Sequence, residues 1–367
     1  MRLAISNHGL RHSGGIERYA LTLVRGLHAQ GVRPTLIAKS FDAQLPEYAW
    51  VEPIRVHVGG LPSKLRDLVF DWRLRSLKRQ HRLFPLIACN QTGAADIAIC
   101  GSTHPGFLEA MERPVCRSDR WKIALERAHL TQSRVIVAHS QRMADEARRY
   151  YGVAADKIRL LYPPVDGQRF APVDASTRQA LRAKLGLTDD RVAFLLVSTG
   201  HQRKGLGMLA AFFASTTLPV TLLVAGRPLP GAAETSNIRS LGYRADIENV
   251  YRAVDFTVLA SRYEPFGLVG VESVLCGTPL LLARGVGCAE VIRAPAQLPF
   301  SLDAAAGDGQ DFTAAVDAAL ALRRANRHRL EDPRSLLNYD AGVEPHVSAL
   351  LALARALAVT PDETPPA

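Results

Sequence analysis

The 367-residue chain is poor in the residues that mark secreted, metal-bound or membrane-embedded proteins. It has only five cysteines, Cys89, Cys100, Cys116, Cys276 and Cys288. Their number is odd and their spacing irregular. None forms a Cys-x-x-Cys pair or has a histidine-rich companion, which speaks against a disulfide framework and a zinc-type ligand set. No stretch reaches the roughly 18 uninterrupted apolar residues of a spanning helix. The apolar run after Met1 is too short for a signal peptide. The expectation is a cytoplasmic protein, able to touch the inner face of the plasma membrane peripherally. An Asp-x-Asp metal motif is also missing, so metal-independent chemistry is expected. Acidic residues are outnumbered, 35 against 45 basic ones, for a net charge of +10. A basic surface suits anionic lipid, phosphorylated substrates or nucleic acid. An Arg-rich, Ala-rich composition equally runs basic with no such partner. No aromatic-basic platform or recognition motif accompanies the charge, so a nucleic-acid partner is not expected.

With 47% hydrophobic residues, the chain is long enough to bury two cores. Residues 3–6 form a short apolar run suited to a buried strand, followed by a polar, Gly-containing loop over 7–15. Ile16, Tyr19, Ala20, Leu23, Val24 and Leu27 then recur at helical spacing. Gly31 ends that helix, and residues 34–38 read as the next strand. Strand, Gly loop, helix and strand together open a doubly wound sheet. Further apolar runs at 97–100, 135–138 and 157–162 continue the series, with a helix at 141–150. A Pro-rich, polar stretch at 163–174 has linker composition. A second series follows at 193–198, 220–225, 256–260 and 279–283. The reading is α/β, with two Rossmann-like doubly wound parallel-sheet domains facing across a cleft. Residues 1–164 make the acceptor domain and 165–341 the donor domain. A helix at about 342–359 packs back on the first, and residues 360–367 form a disordered tail.

The most informative window is 261–277, SRYEPFGLVGVESVLCG, directly after an apolar strand. Glu264 and Glu272 are separated by seven residues. Pro265 restricts the loop, and Gly267 can take a positive φ before a helix beginning at Leu268. Glu264 then sits on a strand-to-helix loop and Glu272 in the second helical turn. The unpaired N–H groups of the helix start share that space. Two such carboxylates can accept hydrogen bonds from sugar hydroxyls beside a diphosphate. Taken alone, they also read as an ordinary surface pair.

The wider pattern closely resembles the E-x7-E signature of the family 4 retaining glycosyltransferases. Ser261, Glu264, Pro265, Phe266, Gly267, Leu268, Glu272, Gly277 and Pro279 all match it. The resemblance implies the GT-B fold and a nucleotide-diphosphate sugar as co-substrate, UDP-sugar favoured, with no other cofactor. It implies that Glu264 contacts the donor sugar and Glu272 the ribose, with Phe266, Gly267 and Leu268 lining the donor site. Lys204, in His201-Gln-Arg-Lys-Gly205, matches the family lysine that contacts the donor phosphates. Many members carry an arginine a few residues earlier. This chain has Ser198-Thr199-Gly200 there, and its arginine is Arg203, an arrangement similar to the lipopolysaccharide core glucosyltransferase I branch. Gly14 and Gly15 resemble the family's Gly-Gly opening before the first helix, where backbone N–H groups approach the donor phosphates and acceptor. His104 stands where members place a histidine near the hydroxymethyl of the transferred sugar. Glu290 resembles the glutamate of a Gly-x-x-Glu after the next strand, or serves only as a helix-start carboxylate. Tyr243 sits where relatives hold the nucleotide base. The implied reaction is retaining hexosyl transfer to a cell-envelope glycan or glycolipid such as lipopolysaccharide core. The loss of the usual arginine keeps a non-catalytic scaffold open as a second reading, and an epimerase shares the architecture.

Residues 62–85, PSKLRDLVFDWRLRSLKRQHRLFP, interleave basic and apolar side chains. They read either as an anionic-membrane surface helix or as a domain helix with its apolar side in the core.

Overall fold

The computed structural model describes residues 2–60, 62–229, 231, 234–302 and 310–359. The tail at 360–367, expected to be disordered, lies outside them. The chain divides into two compact units, one of residues 1–164 with 341–367 and one of residues 165–340.

The first unit runs β1 (Ala4–Leu10), α1 (Gly15–Ala29), β2 (Thr35–Phe41), β3 (Glu52–Arg55), α2 (Ser63–Gln80), β4 (Leu86–Ala88), β5 (Ile97–Cys100), α3 (His104–Ala110), α4 (Arg117–Gln132), β6 (Val135–Ala138), α5 (Gln141–Tyr151) and β7 (Ile158–Leu160). Its strands are parallel, in the order β3-β2-β1-β4-β5-β6-β7. The second unit runs α6 (Ala175–Lys184), β8 (Val192–Ser198), α7 (Leu206–Ser215), β9 (Val220–Gly226), β10 (Ile238–Gly242), α8 (Ile247–Ala253), β11 (Phe256–Leu259), α9 (Leu268–Leu275), β12 (Leu280–Ala283), β13 (Gln297–Phe300) and α10 (Gln310–Arg324). Its parallel order is β10-β9-β8-β11-β12-β13. Both sheets therefore reverse direction beside their first strand, between β1 and β4 and between β8 and β11. In such sheets ligands gather at the carboxyl ends of the strands flanking the reversal.

Strands buried on both faces read as continuous apolar runs, and β8 (VAFLLVS) is one. The opening strand differs from expectation. It continues through Asn7, His8 and Gly9 to Leu10, because β2 pairs along it as far as Phe41. Buried polar residues at Ser6 and Asn7 disguised that continuation as a loop. An added Cβ on Gly9 would press on the Ser40 hydroxyl. The short strands β3, β4, β10 and β13 escape sequence reading, as do helices α4 and α6. The Pro-rich stretch after residue 163 is more than a linker. Val165 and Phe170 are buried, and Asp174 caps α6 through the Thr177 N–H at 2.8 Å.

The last helix, α11 (Val343–Val359), packs on α1 in the first unit. Val347, Leu350 and Leu351 join Leu23, Val24 and Leu27 in one core. The fit leaves room only for glycine at residue 26, where an added Cβ would overlap the Val347 side chain. On another side, Phe70 and Leu74 of α2 pack with Ile37, Val56, Leu83 and Leu86. Burying a side chain such as Phe70 contributes about 1.5–3 kcal/mol. The 62–85 segment is thus a domain helix whose apolar side is largely spent in the core. Trp72, 69% exposed, and Leu65 are the large apolar side chains it leaves outside. Among the described residues, no helix is long and apolar enough to cross a membrane.

Candidate active site

The second unit builds its site from the two loops that leave β8 and β11, neighbours at the sheet reversal. After β8, the chain turns through His201, whose ring nitrogens meet the Ser198 hydroxyl at 2.8 Å and the Pro228 carbonyl at 3.1 Å. Gly205 ends the loop in the left-handed region, φ +73°, and caps α7. A Cβ there would run into the Ala260 carbonyl oxygen, so glycine is sterically enforced directly after Lys204. That tight passage aims Lys204 at the β11 loop.

There Lys204 and Arg203 converge on one carboxylate oxygen. Lys204 Nζ lies 2.5 Å from Glu264 Oε2, and Arg203 Nη1 lies 3.0 Å from the same atom. Ser261 Oγ donates to it at 3.2 Å, and Arg203 also donates to the Tyr263 carbonyl at 2.8 Å. Burial pushes the Glu264 carboxyl up, but the Lys204 ammonium and Arg203 guanidinium outweigh it and hold it below the ordinary value. Glu264 is therefore ionised at neutral pH. The cluster carries two cations against one anion, a net positive charge suited to an incoming anion.

The β11 loop is clamped from outside. The Gly287 N–H donates to the Glu264 carbonyl at 3.1 Å and the Cys288 N–H to the Phe266 carbonyl at 2.6 Å. A Cβ on Gly287 would overlap the Pro265 carbonyl oxygen. This is the turn that carries Glu290, whose own carbonyl accepts from Asn338 at 2.8 Å. Gly267, φ +95°, caps α9, and Leu268 begins it. Phe266 is buried with its ring edge-on to Tyr339. Glu272 is buried in α9 and accepts from the Tyr251 hydroxyl at 3.1 Å. Tyr251 had no signal in the sequence. Tyr243 follows β10 and is 82% exposed, clear of the core.

In the first unit, Gly14 caps α1 in extended conformation and Gly15 begins the helix. An added Cβ on Gly15 would meet nothing within 4 Å, so no packing demands a glycine there. His104 is the first residue of α3, after the carboxyl end of β5, and Thr103 caps that helix. Its Nε2 lies 2.8 Å from Asp119 Oδ1, and its backbone N–H donates to Glu126 Oε2 at 2.8 Å. Both acids come from α4, and neither is legible as a partner because fifteen and twenty-two residues separate them from the histidine. Burial pushes the Glu126 carboxyl up to about 7 despite hydrogen bonds from Tyr151 and His104. Hydrogen bonds from the Cys116 thiol and N–H, and from His104, hold Asp119 well below the usual carboxylate range.

Two parallel sheets of this order in one chain, with charged loops at the strand ends of the second, are the layout of the GT-B fold. Residues 13–169 match the model of Glycosyltransferase Family 4 and residues 191–321 that of Glycosyl transferases group 1. A probable transglycosylase of Burkholderia thailandensis is 48% identical over 357 residues, 96% of this chain and 97% of the relative. A D-inositol 3-phosphate glycosyltransferase of Xylanimonas cellulosilytica is 30% identical over 333 residues, 77% of this chain and 78% of the relative. Among solved structures, WaaG, a glycosyltransferase involved in lipopolysaccharide biosynthesis, superposes with a TM-score of 0.78 at 18% identity, covering 95% of this chain and 99% of that one. Anabaena HepE in complex with UDP and glucose gives 0.74 at 17%, covering 98% and 100%. The chain belongs to glycosyltransferase family 4.

Proposed function

We propose that this protein moves a hexose from a nucleotide-diphosphate sugar, UDP-sugar favoured, to a cell-envelope glycan or glycolipid such as lipopolysaccharide core. Anomeric configuration is retained and no metal ion takes part. The observation that carries this reading is the meeting of Lys204 and Arg203 on Glu264 at the sheet reversal of the second unit.

The chemistry follows from that charge arrangement. The bond between the anomeric carbon and the donor's phosphate oxygen breaks, and negative charge builds on the leaving diphosphate. Lys204 and Arg203 stabilise that charge in place of a metal ion. The acceptor hydroxyl attacks from the leaving-group side, and its proton passes to the departing phosphate oxygen. No protein nucleophile is needed, in contrast to two-carboxylate glycosidases. Glu264 accepts from hydroxyls of the transferred hexose, and Glu272 exchanges its tyrosine partner for the ribose. Phe266, Gly267 and Leu268 form the wall on which the donor lies, and Glu290 braces it. Tyr243 offers its exposed ring to the base. Gly14 and Gly15 present backbone N–H groups to the phosphates, and His104 faces the sugar's hydroxymethyl.

A glycolipid acceptor calls for attachment to the anionic inner face of the plasma membrane. On α2 the exposed Trp72 and Arg79 are suited to this. Arg75 and Lys78 serve the fold instead, through Asp71 at 3.0 Å and Asp96 at 2.7 Å. Trp72→Ala with Arg79→Glu should weaken pull-down by anionic vesicles, and unchanged pull-down would remove α2 from this role.

The deciding experiment is a thermal-shift panel of UDP, GDP, ADP and their sugars. A ligand at a hundredfold excess over its Kd adds about 2.7 kcal/mol to apparent stability. The largest shift is expected with UDP and a UDP-hexose. No shift with any nucleotide would overturn the reading.

A further inference from the structure

Helix α4 grips His104 at two points. Asp119 takes the imidazole at Nε2, and Glu126 takes the backbone N–H. We propose that Asp119 is a positioning residue that locks His104 as its Nε2–H tautomer, so that Nδ1 stands as a hydrogen-bond acceptor for a hydroxyl of the sugar substrate. The inference rests on His104 being a sugar contact.

Asp119 Oδ2 accepts the backbone N–H of Cys116 at 3.0 Å, as part of the capping box that starts α4. A backbone N–H can only donate, so this end of the side chain must be an acceptor. The first turn of α4 favours a negative charge by its dipole. Hydrogen bonds from Cys116 keep the group ionised throughout the neutral range. An ionised carboxylate has no proton to offer, so the hydrogen in the contact at Oδ1 belongs to His104 Nε2. A neutral imidazole carries one N–H, which leaves the lone pair on Nδ1. Among the described residues no hydrogen bond is made by Nδ1. The Phe107 ring lies beside the imidazole, with centroids 6.1 Å apart and planes inclined by 25°. The side chain keeps part of its surface exposed.

The same geometry dictates what Asp119→Asn would do. The Cys116 N–H would claim the amide oxygen, and the amide NH2 would then face His104. Nε2 would have to become the acceptor, and the proton would move to Nδ1. The shape is unchanged while the polarity of the sugar-facing nitrogen is inverted.

Two readouts on the full chain test this. The first is the tautomer of His104, read from long-range proton–nitrogen spectra of histidine-labelled protein and assigned with His104→Asn. The second is turnover of UDP-glucose. The expected result is Nε2–H in the parent protein and Nδ1–H in Asp119→Asn. With it kcat/KM for UDP-glucose should fall on the order of tenfold or more. A parent protein carrying Nδ1–H, or the same tautomer in both proteins, would overturn the proposal, and the first needs no variant. An inverted tautomer with unchanged turnover would overturn the sugar-facing role of His104. The transferase reading itself fails separately, by the absence of any nucleotide-induced thermal shift.

Discussion

Lys204 and Glu264, sixty residues apart in the chain, meet at 2.5 Å with Arg203 on the same oxygen. In the proposed reaction, a lysine already held against a carboxylate is oriented and desolvated before charge develops, so it need not be recruited. Lys204→Ala should reduce kcat by on the order of a hundredfold, the size of losing one charge-stabilising donor. It should also lower thermal stability, because Glu264 would keep only part of its partnership. Steady-state kinetics beside a melting curve separates the two effects. Full turnover in that variant would remove Lys204 from the reaction.

Two glycines at helix starts should respond in opposite ways. Gly205 has φ +73° and faces the Ala260 carbonyl, so Gly205→Ala should destabilise the protein by roughly 2 kcal/mol or more. Gly15 faces open space with ordinary φ, so Gly15→Ala should leave the melting temperature nearly unchanged. Its nucleotide-sugar affinity should nonetheless fall, because the methyl group occupies the approach to the helix N-terminus. Calorimetric titration with UDP-glucose measures that loss. Unaltered affinity would place the donor away from this loop.

Glu272 is tested by a conservative change. Alanine would remove the Tyr251 hydroxyl's bond to this carboxylate as well as the charge. Glu272→Gln keeps an acceptor for Tyr251 but removes the charge. Stability should change little, while affinity for UDP and its sugars should drop severalfold. If affinity holds, the carboxylate serves only the core.

The first unit contains opposed pH responses. His139 and His346 are buried, and burial lowers their pKa values to about 3 and about 4. His346 also receives the Tyr19 hydroxyl contact at 2.8 Å and bonds the Tyr162 carbonyl at 2.9 Å. Their folded pKa values lie below the unfolded 6.5, so the unfolded chain binds more protons between them. The stability they permit is intact above 6.5 and lost as pH falls toward 4. Glu126 goes the other way. Its folded value near 7 lies above the unfolded one, so its contribution is full at acid pH and lost as pH rises through about 7. In melting curves across pH 4–8, His346→Gln should flatten the acid limb and Glu126→Gln the neutral limb. A limb that keeps its slope would assign the response to other groups.

Much of this protein is legible before any folding is considered. Apolar runs mark β8, β9, β11 and β12, because strands covered on both faces tolerate little else. The E-x7-E window puts Glu264 on a loop and Glu272 in a helix, because Pro265 and Gly267 leave few alternatives. The edge strands β3, β10 and β13 are only partly buried and carry polar residues or proline that break the apolar run, and β4 has just three residues. Long-range partners are invisible for a different reason. Nothing near residue 204 says that its ammonium will find residue 264, since only the pairing of β8 with β11 brings their loops together. Likewise the two acids on α4 acquire His104 only when α3 and α4 pack. Local backbone preference and patterning are properties of neighbouring residues, so sequence determines them. Which charges neutralise each other, which nitrogen of an imidazole is left to a substrate, and which side of α2 faces water depend on contacts between distant segments. Tertiary packing alone decided those.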